Sequence, residues 1–122
     1  MIRLGVLGST RGTDLQAILD AIQNHTLDAE VVVVVSNRNK SYILERARHH
    51  NIPDVFVSQK GKTRDEFDRE ITATLLQHGA DLVLLIGFMR ILSAEFCQKW
   101  HDRILNVHPS LLPKYAGGMD ND

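Results

Sequence analysis

Short runs of consecutive apolar residues recur along the chain. Three of them are continuous: IRLGVLG at Ile2–Gly8, EVVVVVS at 30–36 and LVLLIGFM at 82–89. Unalternating runs of this length are typical of strands that are buried on both faces of a parallel sheet. Two weaker runs, DVFVS at 54–58 and RILNV at 103–107, have the same character. The pattern therefore predicts about five strands.

Apolar positions at helical spacing lie between the strands. They recur every three or four residues at Leu15, Ile18, Leu19 and Ile22, and again at Phe67, Ile71 and Leu75. Each series is introduced by a sequence of the capping-box form S/T-x-x-E/Q, TDLQ at 13–16 and TRDE at 63–66, which predicts where the two helices begin. Two further helices are predicted at 41–50 and 93–99.

The alternation of strands and helices predicts an α/β fold of the doubly wound, Rossmann-like class, an open parallel sheet with helices on both faces. With 122 residues, 43% of them hydrophobic, the chain is expected to form a single domain with a modest core. Ligands of such sheets bind beyond the carboxyl ends of the strands. The segments that follow the strands, at 8–14, 36–40, 87–92 and 107–115, are therefore expected to share one rim.

Charge and cysteine content argue against several classes of function. The formal net charge is -1, and no block of Lys and Arg is long enough to bind a polyanion, so no nucleic-acid partner is expected. Cys97 is the only cysteine, which rules out a disulfide framework or a cysteine zinc site within one chain and fits a reducing, cytoplasmic compartment. Neither a signal peptide nor the roughly 18 apolar residues of a membrane span are present, and no membrane association is expected.

The loop after the first predicted strand, GSTRGTDLQ at 8–16, has the composition of an anion site. Two glycines, small hydroxyl residues and Arg11 surround a helix start, whose backbone N–H groups could cradle a phosphate. The loop lacks both G-x-G-x-x-G and the lysine of a P-loop, so a tight structural turn is an equal alternative. Thr13 and Asp14 can also be interpreted as caps of their own helix.

Asn106 and His108 stand two residues apart at the end of the last apolar run, in ILNVHPSLLPKY at 104–115. If the strand continues through them, both side chains lie on the same face. An amide N–H that meets a developing oxyanion, beside an imidazole that carries a proton near neutral pH, is the equipment that acyl transfer needs. The alternative is a strand end at which Asn106 bonds the backbone and His108 caps the turn begun by Pro109.

Two arginines have both a structural and a functional interpretation. Arg64 precedes Asp68 by one helical turn, so an ordinary surface ion pair would account for it. Arg90 follows an apolar strand, and a solvated loop arginine is the alternative to a ligand contact. The six histidines show no H-x-x-x-H spacing with a carboxylate between them, and no metal site is predicted.

Four motifs stand in order along the chain: GTDLQAI at 12–18, SNRNKSYILERAR at 36–48, GFMRILS at 87–93 and NVHPSLLPKY at 106–115. Together they resemble the phosphoribosylglycinamide formyltransferases, folate-dependent enzymes of purine biosynthesis. The Asn-x-His-Pro-Ser-Leu-Leu-Pro core is shared by folate-dependent formyltransferases in general. GFMRILS and the stretch STRGTD at 9–14, which we call the phosphate loop, favour the glycinamide ribotide branch.

The resemblance implies a reaction and the residues that carry it. A formyl group would move from 10-formyltetrahydrofolate, the co-substrate, to the glycinamide amine, without a metal and without a covalent enzyme intermediate. Asn106 would hydrogen-bond the formyl oxygen as it becomes an oxyanion, and His108 would handle proton transfer. The ribotide phosphate would contact Gly12, Thr13 and Asp14. The folate would contact Arg64, Met89, Arg90, Ile91 and Leu92.

The sequence departs from the family pattern in two places. Many members have Ser-Gly-Asn-Gly-Ser-Asn in the phosphate loop, where Thr10 and Arg11 here replace Gly and Asn. Members also continue for many tens of residues past the histidine motif and supply an aspartate that pairs with the histidine, whereas this chain stops at Asp122. A truncated gene product or a fragment of a longer enzyme is therefore expected. Its uncovered apolar faces would favour aggregation or self-association, as in a homodimer. A binding remnant without catalysis and a formyltransferase with another amine acceptor are the alternatives.

Overall fold

The computed structural model describes residues 1–107, which form one five-stranded sheet flanked by helices. The elements in chain order are β1 (Ile2–Gly8), α1 (Thr13–Gln23), β2 (Ala29–Ser36), α2 (Tyr42–His49), β3 (Asp54–Phe56), α3 (Arg64–Gln77), β4 (Leu82–Ile86), α4 (Ala94–Lys99) and β5 (Ile104–Asn106). All neighbouring strands are parallel, and their order across the sheet is β3-β2-β1-β4-β5. The predicted doubly wound α/β class is confirmed.

The helices cover both faces of the sheet because its central strands are apolar on both sides. On one face Leu4 and Val6 of β1 pack in a cluster with Leu15 of α1. On the other face Leu7 packs in a second cluster with Phe67 of α3. Burial of each such large side chain contributes about 1.5–3 kcal/mol to stability, so the two clusters hold the sheet between two helical layers.

The strand β4 ends earlier than its apolar run indicates. It stops at Ile86, whereas the run continues to position 89. Gly87 has φ of +61°, a left-handed conformation that glycine adopts without steric cost, and it turns the chain out of the sheet. Residues 87–92 therefore form a loop beyond the carboxyl end of β4, which we call the β4 loop.

Of the two predicted capping boxes, one is confirmed and one is wrong. At the start of α3 the backbone N–H of Glu66 donates to Thr63 Oγ1 at 3.1 Å, and the backbone N–H of Thr63 donates to Glu66 Oε1 at 2.8 Å. At the start of α1 the N-cap residue is Gly12, which has no side chain to accept such a bond. The TDLQ sequence therefore lies one position too far along the helix to form a box.

Two exposed ion pairs join neighbouring elements. Arg3 of β1 binds Asp81, which precedes β4. The pKa of Asp81 is lowered, mainly by the hydrogen bond from the backbone N–H of Arg3 and next by the bond from the Arg3 side chain. Arg69 of α3 binds Glu95 of α4 through two hydrogen bonds of 2.8 Å, which lower the pKa of Glu95. Both pairs join elements that are distant in sequence.

We expect acidification to remove the small stabilisation that these two carboxylates provide. A carboxylate with a lowered folded-state pKa stabilises the fold above its unfolded-state pKa, and the contribution is lost as pH falls through the folded-state pKa. The side chains of both pairs are about half exposed, which keeps the effect small. The midpoint temperature of thermal unfolding, determined at a series of pH values from neutral to acidic, measures this loss of stability. Arg69→Gln should flatten part of the decline, and an unchanged profile would contradict the assignment to Glu95.

Candidate functional site

A cleft of about 290 Å³ opens beyond the carboxyl ends of β1, β4 and β5. It lies where the strand order reverses, since β1 has β2 on one side and β4 on the other, and open parallel sheets bind ligands at this point. The residues that line it are Thr10, Gly12, Thr13, Asp14, Ile86, Gly87, Asn106 and Val107. The structure thus brings the three predicted phosphate residues to the same cleft as Asn106.

The loop after β1 presents the start of α1 to this cleft. Gly12 has φ of +72°, and α1 begins at Thr13 with Asp14 in its first turn. The first N–H groups of a helix have no partner within that helix, and together with the helix dipole they favour an anion at its start. Because Gly12 occupies the N-cap position, the interpretation of Thr13 and Asp14 as N-caps is wrong.

Arg46 of α2 fixes this loop from outside the cleft, a contact that no sequence motif indicated. Its Nε donates to the backbone carbonyl of Arg11 at 3.1 Å, and its Nη1 donates to Gln16 Oε1 at 3.1 Å. The guanidinium also stacks on the ring of Tyr42, 5.0 Å from its centroid. Arg46 therefore connects α2 to both the phosphate loop and the first turns of α1, while Arg11 itself is exposed.

Asn106 is the last residue of β5 and lines the cleft together with residues of the loop after β1. Its backbone is in register with Leu85, and the N–H of Val107 donates to the carbonyl of Leu85 at 2.9 Å, which continues the pairing by one residue. No hydrogen bond joins the Asn106 side chain to another residue within 1–107. His108 lies outside the described residues.

The predicted folate residues fall into two groups. Met89 and Ile91 project from the β4 loop with 60% and 72% of their surface exposed, whereas Leu92 packs against the core cluster beneath α3. Arg64 is the exposed first residue of α3. The β4 loop therefore presents two large apolar side chains, Met89 and Ile91, at the protein surface.

The structural alternatives for Arg64 and Arg90 are both wrong. Asp68 is only 2% exposed and accepts a hydrogen bond of 2.6 Å from the backbone N–H of Ser93, and within residues 1–107 it forms no ion pair with Arg64. Arg90 is half-buried rather than solvated, because its guanidinium stacks on the ring of Phe67 at 4.4 Å. Asp68 therefore anchors the end of the β4 loop, and Arg90 is held against α3.

A set of hydrogen bonds joins the β4 loop to the loops after β1 and β2. The N–H of Ser9 donates to the carbonyl of Gly87 at 3.1 Å, and the N–H of Met89 donates to Ser9 Oγ at 2.9 Å. Ser9 Oγ in turn donates to Asn37 Oδ1 at 2.6 Å. Ser9 and Asn37 are both buried. Sequence reasoning missed both side chains, although each is a polar residue directly after an apolar run.

Two further properties of the described chain bear on its function. Within residues 1–107 no group of three or more His, Cys, Asp or Glu side chains is placed to hold a metal ion. None of the helices in the same range is long and apolar enough to cross a membrane.

Comparison with known proteins shows which family the chain belongs to. The sequence profile of the formyl transferase family matches residues 2–120. The chain is 42% identical to the phosphoribosylglycinamide formyltransferase of Haemophilus influenzae over 118 residues, which are 96% of this chain and 56% of that protein. It is 45% identical to the trifunctional purine biosynthetic protein adenosine-3 of Chironomus tentans, covering 94% of this chain and 9% of that protein.

The structural comparison agrees with the sequence comparison. The crystal structure of glycinamide ribonucleotide transformylase 1 from Symbiobacterium toebii superposes with a TM-score of 0.85 at 41% identity, over 94% of this chain and 55% of that one. The chain thus spans about half the length of the single-function relatives it matches. On the sequence match along nearly its whole length and on the shared fold, the chain belongs to the formyl transferase family.

Proposed function

We propose that the chain catalyses the transfer of a formyl group from 10-formyltetrahydrofolate to the amine of phosphoribosylglycinamide, in purine biosynthesis. The observation that carries the proposal is the single cleft in which the start of α1 and Asn106 lie together. A helix start suits the phosphate of the ribotide, and an amide suits the formyl oxygen. The names of the relatives from Haemophilus influenzae and Symbiobacterium toebii support the same acceptor.

In the proposed reaction the acceptor amine attacks the formyl carbon directly. The new bond joins the amine nitrogen to that carbon, the bond from the carbon to N10 of the folate breaks, and one proton passes from the amine to N10. The formyl oxygen gains negative charge in the tetrahedral intermediate. The Asn106 side-chain N–H would donate to it, and the resemblance assigns the proton transfer to His108.

The two substrates would approach the cleft from different loops. We assign the ribotide phosphate to the backbone N–H groups at Gly12, Thr13 and Asp14 and to the hydroxyl group of Thr13. The folate would lie along the β4 loop and contact Met89, Arg90, Ile91 and Leu92, with Arg64 at the start of α3. The partners that this assignment needs are small molecules. We propose a homodimer as the assembly of the chain, and a cytoplasmic location fits both substrates.

Formyl transfer by the purified 122-residue chain, with glycinamide ribotide as acceptor, tests the proposal. We expect turnover that His108→Ala abolishes, and competition with other formyl acceptors should leave the ribotide preferred. Calorimetry with the ribotide and with a folate analogue separates the outcomes. Binding of both ligands without turnover would support the site and contradict catalysis by this chain. If neither the ribotide nor the folate analogue binds, the whole proposal is contradicted.

A further inference from the structure

Gln59, in the segment after β3, is a shared hydrogen-bond acceptor for two side chains of other loops. Its Oε1 accepts from Arg90 Nη1 at 2.8 Å and from Asn37 Nδ2 at 3.3 Å. The residue itself is exposed and does not line the cleft. One exposed amide oxygen therefore connects the loop after β2 to the β4 loop.

The bonds of Gln59 complete a closed circuit. From Asn37 the circuit continues through Ser9 Oγ to the backbone N–H of Met89, the residue before Arg90. The direction of each hydrogen bond in the circuit is fixed, since Ser9 Oγ donates to Asn37 Oδ1 and accepts from the N–H of Met89, while Asn37 Nδ2 donates to Gln59. Loss of the Gln59 acceptor would open the circuit at the side chain of Arg90.

The orientation of the Arg90 guanidinium depends on Gln59, because the other contact of this group, stacking on Phe67, has little directional preference. The face of its guanidinium rests on Phe67, a contact that allows the group to slide and rotate. Its Nε is buried and has no hydrogen-bond partner among the described residues, so only Nη1 fixes the orientation of the fork. Removal of the acceptor would leave a long, flexible side chain held by stacking alone.

We propose that Gln59 is a positioning residue for the folate-facing loop and acts through Arg90. The inference rests on the proposed function, in which Arg90 contacts the folate. An arginine that is already held in one geometry loses less conformational freedom when it meets an anionic or planar ligand. Gln59 thus strengthens the binding of the formyl donor, the folate, without touching either substrate.

Gln59→Met tests the inference, because methionine keeps the length of the side chain and removes the amide. Gln59→Glu keeps an acceptor at the same reach, and Gln98→Met places the same substitution on the exposed face of α4. The rate of hydrogen exchange at Arg90 Nε–H, followed by nitrogen-15 NMR on the unliganded chain, reports how firmly the Arg90 guanidinium is held. We expect faster exchange in Gln59→Met and wild-type exchange in the other two variants.

The dissociation constant of a 5-deaza analogue of 10-formyltetrahydrofolate measures the consequence for binding. We expect an increase of about three- to tenfold in Gln59→Met, the scale of one hydrogen bond, with the affinity for glycinamide ribotide unchanged. Gln98→Met should leave both constants unchanged.

The two measurements separate failure of this inference from failure of the proposed function. Unchanged Nε–H exchange in Gln59→Met would overturn the positioning role, whatever the chain binds. Faster exchange with an unchanged constant would show that Arg90 is held for a reason other than donor binding and would also overturn the inference. A wild-type chain that binds no folate analogue contradicts the proposed function, and faster exchange in that case still supports the hold of Gln59 on Arg90.

Discussion

Replacement of Asn106 by alanine is expected to lower the rate of formyl transfer by about 100-fold or more, the usual effect of removing one oxyanion donor. Asn106 ends β5 and lines the same cleft as the start of α1, and the proposed function assigns its amide to the formyl oxygen. The measurement is the single-turnover rate with both substrates saturating, which separates the chemical step from binding.

The control for this prediction is Asn39→Ala, the same substitution at an exposed residue that does not line the cleft. It should leave the rate unchanged. Asn106→Ala should also leave the affinity for the ribotide nearly unchanged, because the amide of Asn106 is proposed to stabilise charge that develops only in the transition state. A wild-type rate in Asn106→Ala would remove Asn106 from the oxyanion role.

Gly12→Ala is expected to destabilise the fold by about 2–4 kcal/mol and to abolish the phosphate binding that we propose at the start of α1. Gly12 has φ of +72°, and a Cβ there would lie 2.5 Å from Cγ1 and 2.9 Å from Cβ of Ile43. Ile43 is fully buried in α2, so it cannot move aside without disturbing the core. Chemical denaturation measures the stability, and calorimetry with inorganic phosphate or the ribotide measures the binding.

Gly61→Ala provides a matched control for the backbone part of this effect. Gly61 has φ of +75°, close to that of Gly12, but no atom lies within 4 Å of the position of its Cβ. This variant should lose only about 1 kcal/mol, the cost of a left-handed conformation in an L-residue. Equal losses in the two variants would mean that Ile43 does not restrict position 12.

The elements that could be predicted from the sequence are those whose pattern reports burial directly. The run at Ile2–Gly8 is apolar on both faces because helices cover both, and the four-residue spacing of Phe67 and Ile71 follows from one buried helix face. The rim was also predictable, since parallel strands all end at one edge. Asn106 and the phosphate loop were located on that basis.

The remaining features depend on contacts between distant residues. Nothing near position 87 indicates that Gly87 takes a left-handed φ and ends β4, because its apolar neighbours continue the strand pattern. The support of the phosphate loop by Arg46 joins residues 35 positions apart, and the bond between Ser9 and Met89 spans 80 positions. Helical spacing alone predicts that Asp68 is a surface partner of Arg64, because spacing does not report how deeply a residue is buried.

The tight bonding of Ser9 to Gly87 and Met89 separates the phosphate loop into fixed and adjustable positions for protein engineering. Ser9 must both donate and accept, and Gly12 must keep its conformation, so neither tolerates diversification. Thr10 is exposed and lines the cleft, and Arg11 beside it is also exposed. A combinatorial library confined to positions 10 and 11 therefore varies the side chains next to the proposed phosphate site, while the bonds between Ser9 and the β4 loop stay in place.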